Sequence, residues 1–259
     1  MAEAEVTDLV TYHGKPDLKI AFLAEIGKHE QADAIIKGSY GQMNGCFKGC
    51  AIGCSLNSMN VLQGKPAMYL TGEHGRIPTE LGWPLWLAYA EDHIFENLPD
   101  AVAKTWPRRL AEAIPVGVTV PDIVLAALLR WTLIGDRFGV VHAADDESVK
   151  NVVTRMGALF DRTIAGELVP DAEWNEAAWV ARAARDAWAA WVAWAARDAW
   201  VARAARDAWA AWVAWDARAA WAARAAWAAR DADTRDLFYP ALSEELLRLL
   251  RALEPAQAA

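Results

Sequence analysis

The three cysteines of the chain all fall in "GCFKGCAIGC", residues 45–54, as Cys46, Cys50 and Cys54, each preceded by glycine and each four residues from the next. Such a stretch can do one of three things. A cysteine at a helix N-terminus beside a cation is an activated nucleophile. The glycine-rich "KGSYGQMNG" ahead of it reads as a loop, which places Cys46 or Cys50 at such an end with Lys48 alongside. His74 is then the candidate base and Glu80 the group that orients it, with Cys50 as the attacking thiol. Against this stands the commonest fate of a free cysteine, burial as a small apolar side chain. Metal is the third use. Structural zinc takes two close pairs of Cys or His, and there is no fourth cysteine to complete a second pair. The spacing also differs from iron–sulfur patterns. The sequence therefore predicts neither a metal site nor a cofactor.

On a helix, residues four apart share a face, so the cysteines predict one stripe and Gly45, Gly49 and Gly53 the neighbouring one. Three such glycines weaken a helix by about 1 kcal/mol each relative to alanine. Close packing or a bound group must compensate. The loop is not a phosphate-binding P-loop, because "GQMNGCFK" lacks its spacing and the hydroxyl residue after the lysine. It is a candidate anion nest, and with Lys37, Lys65 and Arg76 it would hold a phosphorylated small molecule. The ligand-binding candidates are Tyr40, Gly45, Lys48, Gly49, Cys54, Arg76 and Glu91. Glu91, Asp92 and Glu96 place carboxylates one turn apart for a metal, but such a trio is more often a solvated helix face. His13, His29, His93 and His142 carry no assigned role.

The elements that must position these residues read as helices. Apolar residues recur at helical spacing after Pro16, from Pro84 to Pro99, from Pro121 to Gly135, and from Asp145 to Leu168. Only "VGVTV", residues 116–120, looks extended. Residues 61–84 are rich in Gly and Pro yet carry His74, Arg76 and Glu80, and so long a connection is more often functional than idle. The fold class is all-α. The expected organisation is a helical globular domain over 1–168, a repeat helix over 169–232 and an amphipathic helix over 233–259.

The repeat is tandem: 179–199 recurs as 200–220 with two differences, over a triplet whose first place is Trp or Arg and whose third is Ala. Without Gly or Pro from Asp171 to Tyr239, one long helix is the default. Indole on that scale must dock, since a large aromatic side chain buries on the order of 150–250 Å². A homo-oligomer built through this helix is the preferred expectation. Nucleic acid is not an expected partner, because the formal net charge is −8 and Asp residues beside Arg in the array would repel phosphates. No apolar run is long enough to span a bilayer and no leader-like N-terminus occurs, so the expected setting is cytoplasmic with no membrane partner.

"KGCAIGC" at 48–54, "TELGWPLWLAYAEDHIFENLP" at 79–99 and "WPRRLAEAIPVG" at 106–117 together resemble a family of uncharacterised bacterial and phage proteins. Its members often carry an Ala-rich tail containing Trp or Arg. The resemblance covers about the first 120 residues and, in style, the tail. It nominates Gly49, Cys50, Ala51, Cys54, His74, Pro78, Glu80, Leu81, Gly82, Glu91 and Asp92, with Cys46 outside the pattern. The resemblance supplies no reaction. Two functions are carried forward. One is a non-enzymatic small-ligand or protein-binding protein of a bacterium or phage, with a pocket between the cysteine segment and the 61–84 loop. The other is a cysteine-dependent hydrolase or transferase using Cys50 and His74.

Overall fold

The computed structural model describes residues 9–44, 46–66, 72–143, 147–183 and 232–254. The fold is all-α, with one small hairpin among the described residues. The repeat expected over 169–232 lies mostly outside them, and so do Gly45 and the long-helix reading. The chain divides into two units. One comprises 1–120 with 242–259, the other 121–241. The change in composition near 168 falls inside the second unit.

In the first unit a single 3-10 turn, Thr11–Gly14, precedes α1, Pro16–Gln31, whose Pro16 sits in the first turn where its missing N–H costs nothing. The hairpin strands β1, Gln42–Asn44, and β2, Cys46–Lys48, pair antiparallel with Met43 opposite Phe47. Next come α2, Ala51–Leu62, and α3, Arg76–Leu81. They are followed by α4, Leu85–Asn97, α5, Asp100–Ala103, and α6, Trp106–Ala113. Trp83 is fully buried, edge-on to Tyr12 at 5.8 Å and to Phe22 at 6.0 Å. Gly82 allows this. Its φ is +67°, and a Cβ there would fall 1.9 Å from the Val10 carbonyl oxygen.

Three expectations are corrected in this unit. The cysteines do not form one helical stripe: Cys46 lies in β2, Cys50 is the N-cap of α2, and only Cys54 is inside it. The segment 116–120 is not a strand but a turn and extended chain, tied down by Thr11 N–H to Val118 O at 2.9 Å. The 61–84 connection is shorter than expected, because α2 runs to Leu62 and α3 occupies Arg76–Leu81.

The second unit holds α7, Asp122–Ile134, α8, Val140–Ala143, α9, Glu147–Ile164, and α10, Asp171–Ala183. Its core joins Leu129, Leu133, Val153, Met156 and Phe160 to Trp174, whose ring lies 5.0 Å from that of Phe160. The last helix, α11, spans Ala232–Arg251 and contains Pro240. No helix among the described residues is long and apolar enough to cross a membrane.

Candidate ligand corner at the start of α2

Two glycines bring the backbone of Tyr40 onto the first turn of α2. A Cβ on Gly53 would fall 1.5 Å from the Tyr40 carbonyl oxygen, and one on Gly49 would fall 2.6 Å from it. The approach is fixed by the Cys50 N–H, which donates to Ser39 O at 2.6 Å, and by the Gly49 N–H, which donates to Ala34 O at 2.9 Å. The glycine spacing therefore serves close backbone packing, as the compensation argument requires.

Helix α4 runs antiparallel to α2, since Ser55 Oγ lies 3.5 Å from Glu91 Oε1 while Cys50 faces Glu96 near the other end. The Cys50 sulfur and one oxygen each of Asp92 and Glu96 lie within 4.8 Å of one another. Asp92 is held from outside this trio. His74 Nε2 is 3.2 Å from its Oδ2, and the Tyr40 hydroxyl donates to the same oxygen at 3.5 Å. His74 stacks on Tyr89 at 4.4 Å and meets the edge of Tyr40 at 5.5 Å. Its Nδ1 faces Gly72 O at 3.4 Å. Glu96 accepts the Gly38 N–H on both oxygens, at 3.0 and 3.1 Å.

Burial sets the electrostatics. Cys50 is 1% exposed, and its thiol pKa is driven far up, first by burial and then by Asp92, with the Gly53 amide opposing. Burial likewise pushes Cys54 up to about 12, and its sulfur points at Gly49 O, 3.4 Å away. Burial first and Asp92 second raise the Tyr40 hydroxyl well above its ordinary range. Glu91 is fully buried and raised to about 8 by burial, then by Asp92, against the Ser55 hydroxyl.

The sequence candidates separate accordingly. Tyr40, Gly49, Cys50 and His74 come together at the corner. Glu80 does not join them. It accepts from Arg76 Nε at 2.8 Å, and Arg76 also reaches Glu73 and Asn60, which lies near the far end of α2. The group that orients His74 is Asp92. Arg76 is thus spent on an ion-pair network, and Lys37 is bonded to Asp100 and Leu98 O. Lys65 follows the C-terminus of α2, the opposite end from Cys50, and Lys48 is exposed on β2. The cations expected to hold a phosphate do not converge. Glu91 is core rather than pocket lining, and Cys54 is packed under the first turn with its sulfur toward backbone carbonyls. Of the Glu91–Asp92–Glu96 trio, Glu91 is fully buried, whereas Asp92 and Glu96 are half-buried beside Cys50.

Sequence reasoning left Tyr89 out of the site, and weighed Asp92 and Glu96 as metal carboxylates before favouring a solvated helix face. One signal was available: positions 89, 92 and 96 are spaced i, i+3, i+7 and so share one face of α4. No protein-family model matches the chain, and the searches of curated proteins and of solved structures found no significant similarity.

Proposed function

We propose that the chain is a non-enzymatic binding protein of a bacterium or phage whose ligand site is the corner formed by Tyr40, Cys50, His74, Asp92 and Glu96. One observation carries this reading. Cys50 is 1% exposed, and His74 has one ring nitrogen on Asp92 and the other toward Gly72 O. A nucleophilic cysteine needs an accessible thiol and a base whose lone pair faces it, and neither condition is met here. What remains is a set of converging donors held by outside hydrogen bonds, which is how a binding site is preorganised. Among the described residues the corner carries carboxylates and no converging Lys or Arg, so its ligand presents positive charge rather than phosphate.

Alkylation of the native full-length chain by iodoacetamide, mapped by peptide mass, tests this. Cys46 is exposed and reacts first, while Cys50 and Cys54 react slowly until the chain is unfolded. A Cys50 that outpaces Cys46 in the native protein restores the cysteine hydrolase or transferase. Self-association through the tryptophan repeat belongs to the same proposal and is supported by the ten tryptophans between 179 and 230. Native mass spectrometry of the full chain is expected to give an oligomer, and a monomer at micromolar concentration would defeat it.

A further inference from the structure

We propose that the ligand of this corner is a divalent transition-metal ion of the zinc class, bound by Cys50 Sγ and by one carboxylate oxygen each of Asp92 and Glu96. The inference rests on the binding-protein reading and names its ligand. The donors come from two helices, with Cys50 capping α2 and Asp92 and Glu96 one turn apart on α4. One sulfur with two carboxylates fits zinc and its neighbours, whereas calcium and magnesium take oxygen alone.

Three features make this more than a cluster of acids. The Cys50 sulfur is buried, lies within 4.8 Å of an oxygen of each carboxylate, and makes no side-chain capping hydrogen bond at the start of α2. His74 and Tyr40 both bond Asp92 Oδ2 and so hold that carboxylate from outside the trio. The Gly38 amide fixes Glu96 in turn. Hydrogen-bonded ligating carboxylates of this kind are the usual outer shell of a metal centre.

The spread of 4.8 Å exceeds the edge of a zinc tetrahedron, roughly 3.5 Å for bonds of about 2.0–2.3 Å. Binding therefore draws the three side chains in by about 1 Å, a rotamer-scale adjustment. The step balances simply. The S–H bond of Cys50 breaks, a sulfur–metal bond forms, and one proton leaves for solvent. Three protein ligands leave a further coordination position, which is open to water or to a group of a partner.

The test is cobalt(II) titration of the chelator-stripped full-length protein, read by the sulfur-to-cobalt charge-transfer band in the near ultraviolet and by its loss to added zinc. A band saturating at one cobalt per chain is expected. Cys50→Ser abolishes it, Cys46→Ser keeps it, and Asp92→Asn or Glu96→Gln weakens binding at least tenfold. His74→Gln weakens binding about 10–100-fold while keeping the band, as an outer-shell residue does. Circular dichroism checks folding. Should Cys50→Ser not fold, the two carboxylate variants decide, and unchanged affinity in both overturns the site. A wild-type protein without the band, or a band that survives Cys50→Ser, also overturns it. Slow alkylation of Cys50 with no cobalt band would sink the metal and leave the binding-protein reading standing, whereas fast alkylation with no band would sink both.

Discussion

Gly53→Ala tests whether the corner is built by backbone contact. A methyl group there starts 1.5 Å from the Tyr40 carbonyl oxygen and 2.6 Å from its carbonyl carbon. Ordinary contact begins near 3.4 Å, so chain and helix must separate by about 1.9 Å. Both colliding partners are backbone, and no rotamer change relieves them. Overpacking of this kind costs about 1–3 kcal/mol, and parting the Cys50 N–H from Ser39 O adds about 1 kcal/mol. Alanine returns about 1 kcal/mol of helix propensity, leaving a net loss of roughly 1–3 kcal/mol. Gly27→Ala is the control. Gly27 lies inside α1, and a methyl group added to it would meet nothing within 4 Å, so the same substitution gains about 0.5–1 kcal/mol. Urea unfolding of the two variants should shift the midpoint in opposite directions. A Gly53→Ala protein within about 0.5 kcal/mol of wild type would refute the close approach.

Gly82→Ala should cost more than Gly53→Ala. It adds left-handed strain of about 1–2 kcal/mol to a 1.9 Å backbone clash with Val10, and it recovers no helix propensity. Arg76→Ala leaves Glu80, whose side chain is 9% exposed, without its cation. The expected loss is roughly 2–4 kcal/mol in urea, and the Arg76→Ala/Glu80→Ala pair should lose less than the sum of the singles. His29 is pushed below its ordinary value chiefly by burial, next to Asn57 and the Phe47 ring. The unfolded chain then binds more protons than the folded one below pH 6.5, so stability is complete above that value and falls on acidification. His29→Gln should flatten this part of the stability–pH curve, and an unchanged slope would show that His29 does not set it.

Much of the helical frame was legible because proline and glycine punctuate it. Pro16 opens α1, Pro84 and Pro99 bracket α4, and Gly135 ends α7. The hairpin was not, since "QMN" and "CFK" contain no β-branched residue and each strand is three residues long. The regular cysteine spacing suggests a helix through 46–54. That spacing instead crosses a strand, a cap and a first turn, whose order is fixed by the contact of Tyr40 with Gly53. Cys50 and His74 meet at one corner through Asp92, whereas Glu80, close to His74 in sequence, pairs with Arg76 instead. Asp92 takes its place because α4 packs against α2, and local pattern does not encode that pairing. A carboxylate trio on a helix also looks the same whether water or another helix covers it.

The most direct measurement of the central claim is X-ray absorption at the zinc edge on the zinc-loaded full-length protein. The account predicts a shell with a single sulfur at about 2.3 Å and oxygen or nitrogen neighbours at about 2.0–2.2 Å. That sulfur should disappear in Cys50→Ser and persist in Cys46→Ser. A shell of oxygen and nitrogen alone, or one with two or more sulfurs, would contradict it.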